Sequence, residues 1–256
     1  MVSFFSNPAR FEALSRTVRP WVFASALISL AVGLYLALFV SPADFKQGDS
    51  VRIIYIHVPA AWMALGAYTM ITVASVVAFI WRHSLADRAA LAAAPFGLAM
   101  TILALITGAV WGKPTWGAWW VWDARLTSVL VLMFIYLGYL SIWQAIDDKA
   151  RAARFARIIA MVGFINIPII KFSVDWWNTL HQPASIIRAS GPTIDAAILT
   201  PLLVMILAYT LLFIWYVLTG VESQIIELRL ARQPHRLVST ASPVEAMAPT
   251  AGGTHG

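Results

Sequence analysis

His57 and His181 stand in matching surroundings, "HVPAAW" at 57–62 and "HQPASI" at 181–186. In each, proline follows two residues after histidine, and proline is favoured at the first position of a helix. The spacing therefore sets each imidazole just ahead of a helix N-terminus, where the positive end of the helix dipole disfavours imidazolium. A ring kept neutral is able to bind a metal. The pair also reads as two interfacial histidines capping helix ends. The other three histidines, His83, His235 and His255, fall in a loop and in the terminal tail and read as solvated.

A second concentration of chemistry lies at 111–128, "WGKPTWGAWWVWDARLTS", with Trp111, Trp116, Trp119, Trp120 and Trp122 followed by Asp123. Trp116, Trp119, Trp120 and Asp123 fall at i, i+3, i+4 and i+7, one face of a helix if the stretch is helical. Such a segment would lie in a membrane interface and present a flat indole surface. An ordinary aromatic belt is shared between both interfaces. Here seven of the chain's 12 tryptophans, the five above with Trp176 and Trp177, fall on one side, which favours a one-sided platform.

The elements that must position these residues are membrane spans. With 60% hydrophobic and 12% charged residues, the chain has about half the charge of a soluble globule. Its mean hydropathy of +0.76 agrees. The formal net charge of +6 is then explained by basic loops beside a membrane, and nucleic-acid binding is excluded as a reading. Cysteine is absent, so disulfides, thiolate metal sites and the C-x-x-C-H sequence of c-type heme attachment are excluded. The N-terminus lacks an apolar stretch followed by a small-residue cleavage site, so the first span is expected to serve as the targeting signal.

A span needs about 20 mostly apolar residues in a helix. Six segments qualify, and the expected fold class is an all-α integral membrane protein with spans at about 20–43, 53–81, 89–112, 126–146, 155–174 and 196–221. The fifth is the weakest, since its charge-free stretch runs only from Ile158 to Ile170, with Arg157 and Lys171 expected to snorkel at its ends. Residues 1–222 form the membrane domain. Residues 223–256 form a tail that begins as a short charged helix and is expected to be disordered from 234. Twelve Lys and Arg residues lie on the side of the termini and even-numbered loops, against six on the other. The richer side is expected to be cytoplasmic, so both termini lie inside and the tryptophans and both histidines face outward.

One ligand would use all of these outward features. A planar apolar macrocycle with a central metal and carboxylate edges can be stacked by indoles, ligated by two neutral histidines and paired by cations. Arg52, Lys113, Arg125 and Arg188 are the outward candidates for that pairing, and each reads equally as a solvated rim charge.

At these residues the sequence resembles a known family. "WGKPTWGAWWVWDARLTS", flanked by "YIHVPAAW" and "WWNTLHQPASI", is similar to the tryptophan-rich WWD signature of the cytochrome c maturation protein C family, the heme exporter proteins C. The resemblance implies a bacterial inner-membrane protein that holds heme b, non-covalently and transiently, at its periplasmic surface. His57 and His181 would be the axial ligands. Trp111, Trp116, Trp119, Trp120, Trp122 and Asp123 would form the heme platform. It further implies hand-over to a periplasmic heme chaperone, maturation protein E, and work beside the ATP-binding-cassette subunits A and B and the small single-span maturation protein D. Heme transfer, with assistance to covalent attachment on the chaperone, is not itself enzymatic.

Three alternatives stay open: a b-type cytochrome, a transporter and a purely structural membrane subunit. A b-type cytochrome also pairs histidines, but its ligands sit within the bundle, whereas no histidine here falls mid-span. A coupled transporter usually carries ionisable groups at mid-membrane, and these spans are nearly bare of them, Asn166 with Pro168 being the most polar interruption. The run "GAVWGKP" at 108–114 is one residue short of a phosphate loop and ends in proline where Ser or Thr is required.

Overall fold

The computed structural model describes residues 7–177, 179–181 and 185–232. Among these the architecture is all-helical: α1 (Pro8–Tyr35) continued by a π turn (Leu36–Val40), a 3-10 turn (Asp49–Ile53) leading into α2 (Ile54–Trp81), α3 (Ser84–Trp116), α4 (Ala124–Ala145), α5 (Lys149–Gly163), α6 (Asn166–Trp176) and α7 (Ala196–Arg232). Six helical segments are long and apolar enough to cross a membrane, the fifth composed of α5 and α6 together. The chain alternates between two ends of the bundle. One end, that of the termini, carries the first and last described residues, Asn7 and Arg232; the other, the site end, carries 41–53, 117–123 and the described residues between α6 and α7.

The helices overrun the expected spans because their ends are set by caps, which hydropathy does not register. Asn7 accepts a hydrogen bond from Ala9 N (3.0 Å), so α1 starts twelve residues before Pro20 and takes that proline inside it. His83, expected to be a solvated loop residue, caps α3 through Ala86 N (3.3 Å). α7 runs without a break across 222–223, so the charged "ESQIIELRLAR" is the end of the sixth helix. The tail from 234, with His235 and His255, lies outside the described residues.

The fifth span differs most from expectation. It is two helices broken over Phe164 and Ile165, because Pro168 has no N–H to bond back toward Phe164. Asn166 offsets the break by donating from Nδ2 to Ser128 O of α4 (2.9 Å). Gly163 lets the chain pass close to α2, since a Cβ there would collide with the Tyr68 hydroxyl and Ile135. Arg157 does not snorkel. It makes a two-pronged pair with Asp87 of α3 (2.7 and 2.6 Å), which places it at the bundle's flank.

The core is an alanine-lined centre filled by Tyr68, Ile71, Leu132, Tyr136 and Tyr139. Small residues let helix backbones approach where lipid supplies no hydrophobic drive. The tyrosine hydroxyls are spent across helices: Tyr136 donates to Ala64 O (2.7 Å) and Tyr68 to Ile159 O (3.1 Å). α1 stands at the edge, mostly exposed, and packs on α7. Ion pairs Arg19–Glu222 and Arg229–Glu12 (2.8 Å) clasp the two helices at the end carrying the termini.

Candidate functional site

Between α2, α3, α4 and α6, at the site end, lies a cavity of about 300 Å³, at the lower end of the roughly 300–1,000 Å³ typical of small-molecule sites. His57 and His181 both line it, although 124 residues separate them in sequence. Its inner part is apolar, with Ala61, Leu65, Val129, Leu132 and Ile170. Its mouth carries Arg125, Lys171 and Asp175.

His57 does not stand ahead of a helix. The 3-10 turn Asp49–Ile53 feeds directly into α2, so His57 is the fourth residue of that helix and Pro59 lies inside it. Its position is therefore fixed by regular backbone. Gly108 of α3 passes beside the ring, and a Cβ there would sit 3.0 Å from His57 Cε1. His57 Nδ1 lies 3.1 Å from Thr107 Oγ1. The threonine hydroxyl gives its own proton to Leu103 O (2.7 Å), so it accepts from His57 Nδ1–H and leaves Nε2 as the ring's lone-pair nitrogen.

His181 sits in the irregular segment after α6. Pro183, expected to open a helix, lies outside the described residues, and the next described helix begins at Ala196. What holds this imidazole is Asp123, whose Oδ2 lies 3.1 Å from Nδ1. A carboxylate only accepts, so Nδ1 again carries the proton and Nε2 is the lone-pair nitrogen. Burial pushes His181 below the usual imidazole range and so favours the neutral ring, against the opposing pull of Asp123 toward the charged form.

The tryptophan run is not one helix face. α3 continues through Trp116 and stops at Gly117, whose φ of +79° is a left-handed cap that glycine adopts without strain. Residues 118–122 are irregular, and Asp123 caps α4 through Leu126 N (2.7 Å). The signature thereby splits into two parts. Trp111 and Trp116 meet the histidines edge-on, Trp111 against His57 (5.6 Å between centroids) and Trp116 against His181 (4.9 Å). Trp111 is fixed by donating Nε1–H to Gln47 Oε1 (2.7 Å). Trp119 and Trp122 are instead 58% and 75% exposed at the site end, with Trp120 packed edge-on against Trp122 (5.4 Å).

The four basic candidates separate as sharply. Arg125 lines the cavity, held by Ser173 Oγ (3.3 Å) and Lys171 O (3.4 Å). Arg52 is spent on closing the end of the first span, donating to Ala37 O (2.6 Å) and Leu38 O (3.1 Å). Lys113 donates to Gly117 O (3.1 Å) and helps end α3. Arg188 is exposed in the 185–195 segment and does not line the cavity. Sequence reading missed Thr107, Asp175 and Trp62, and took Lys171 only as a span end. Trp62 at i+5 from His57 carried a signal, as part of "HVPAAW". Thr107 carried none, being a lone hydroxyl within an apolar run.

Compared with known proteins, residues 1–236 match the family model described as heme exporter protein C. The chain is 52% identical over 225 residues to heme exporter protein C of Bradyrhizobium diazoefficiens, covering 88% of this chain and 85% of the relative. It is 44% identical over 205 residues to the Escherichia coli K12 protein of that name (80% and 82%). Against the Paracoccus denitrificans protein of that name it is 41% identical over 228 residues (89% and 94%).

Proposed function

The chain belongs to the heme exporter protein C family, and from that premise we propose that it binds heme between His57 and His181 and hands it to a heme chaperone outside the bacterial inner membrane. The family membership carries the heme-handling role in cytochrome c maturation, a role of transfer rather than catalysis. One observation supports the site: two histidines far apart in sequence line one cavity, each with Nδ1 engaged so that Nε2 carries the ring's lone pair.

The residues present suit heme as a cargo. Imidazole Nε2 atoms supply two nitrogen ligands to the iron. Trp116 and the apolar inner wall cover porphyrin carbon, and Arg125 with Lys171 at the mouth offers cations to the propionates. Family membership further supports the partners expected from the sequence: maturation protein E as acceptor, with subunits A, B and D alongside. Trp119 and Trp122 do not line this cavity, and as exposed indoles at the same end they are the surface offered to the chaperone. An exposed aromatic rim beside an open site suits hand-over, since large exposed apolar patches mark interaction surfaces.

The test separates binding from delivery. Trp119→Ala combined with Trp122→Ala is expected to leave heme on this protein while lowering covalent heme on the chaperone at least about tenfold, as befits loss of two interface aromatics. Heme staining of the chaperone in cells expressing normal levels of the variant reads this out. Wild-type loading in the double variant would reduce the exposed tryptophans to an interfacial belt.

A further inference from the structure

We infer that Asp123 and Thr107 make the two histidines unequal ligands, so that His181 is the anchor and His57 the ligand that yields when heme leaves. The inference rests on the bis-histidine reading above and extends it to the order of release.

The inequality is visible in what each ring's far nitrogen meets. His181 Nδ1 faces a carboxylate oxygen at 3.1 Å, and the Asp123 side chain is 5% exposed. The other Asp123 oxygen accepts from Leu126 N at 2.7 Å, at the N-terminus of α4. Asp123 is thus fixed by the helix it caps and holds its second carboxyl oxygen beside the ring. Arg125, two residues on, acts on the same ring in the opposite sense and offsets only part of the carboxylate's effect. His57 meets neutral acceptors, the Thr107 hydroxyl, also at 3.1 Å from Nδ1, whose proton is committed to Leu103 O, and the backbone of Ala104.

A carboxylate hydrogen-bonded to a ligating imidazole raises its basicity and fixes its orientation, and loss of such a partner typically weakens metal affinity about 10–100-fold. A neutral acceptor polarises the ring less. Position reinforces the difference. His57 takes its place from regular backbone of α2 and needs little help from Thr107. His181 sits in an irregular segment and takes its place from Asp123. Asp123 is therefore a positioning residue acting through His181, and the iron bond to His57 opens first.

Release of iron protoporphyrin IX from the purified full-length chain to excess apomyoglobin tests this. His57→Ala is expected to hold heme about tenfold longer than His181→Ala. Adding Asp123→Asn, which retains a helix-capping oxygen but not the charge, is expected to speed release at least about tenfold in the His57→Ala background. It should change nothing in the His181→Ala background. Adding Thr107→Val to His57→Ala should likewise change nothing. Equal effects of Asp123→Asn in both backgrounds mark a general structural role and overturn the inference, as does longer retention by His181→Ala. Should the unmutated chain bind no six-coordinate heme, the bis-histidine reading itself fails and takes this inference with it.

Discussion

Asp123 does two things with two oxygens, and substitutions can pull them apart. Oδ1 accepts from Leu126 N and starts α4, while Oδ2 holds His181. Asp123→Ala should lose both, costing about 1 kcal/mol of stability for the cap as well as heme retention. Asp123→Asn should keep most of the stability and lose the retention. Thermal unfolding of the heme-free protein in detergent checks this, and equal midpoints for the two variants would contradict the capping role. At this scale the sequence was informative where residue type is rare: histidine followed by x-Pro marked His57 and His181, and the structure brings both to one cavity. It was uninformative about Thr107, because a hydroxyl inside an apolar helix has no pattern of its own. It misled at Pro59, since proline is tolerated within the first turns of a helix as well as at its first position.

At the scale of the element, the glycines of α3 determine how closely the site is built. Gly108 leaves room for the His57 ring, and Gly117 ends the helix at φ +79° so that the chain can turn toward Asp123. Gly108→Ala should displace the His57 imidazole while leaving His181 in place, lowering the six-coordinate fraction of bound heme without loss of helix content. Absorbance and circular dichroism together report this, and an unchanged heme spectrum would mean the ring tolerates the extra carbon. Hydropathy revealed six spans because each carries an apolar run of bilayer length. It could not locate their ends, which Asn7, His83, Asp123 and Asp148 set through capping bonds. Nor could it reveal that the fifth span is two helices, since Pro168 and Asn166 scarcely lower its apolarity. The i, i+3, i+4, i+7 pattern of Trp116–Asp123 was a coincidence of spacing, cut by Gly117.

For the whole molecule, the number of spans follows from the sequence but their packing does not. Nothing in the apolar face of α1 names α7 as its neighbour; Gly33 against Met205 and the Glu12 and Glu222 ion pairs become meaningful only once the two are side by side. Orientation rests on the excess of basic residues at the end carrying the termini. The absence of cysteine makes it directly testable. Thr115→Cys, exposed at the site end, should react with an impermeant thiol reagent added outside the cell. Asp147→Cys, exposed in the loop before α5, should react only after the membrane is opened. The opposite pattern would turn the site toward the cytoplasm and remove the chaperone from its reach.

If His57 and His181 hold the iron together, the spectrum of reconstituted heme must show it. The unmutated chain with iron protoporphyrin IX is expected to give a low-spin, six-coordinate spectrum, as two imidazoles impose. His57→Ala and His181→Ala should each convert it to a five-coordinate or high-spin form, while His83→Ala, which only removes a cap from α3, should leave it unchanged. A low-spin spectrum that survives both site substitutions would contradict the account.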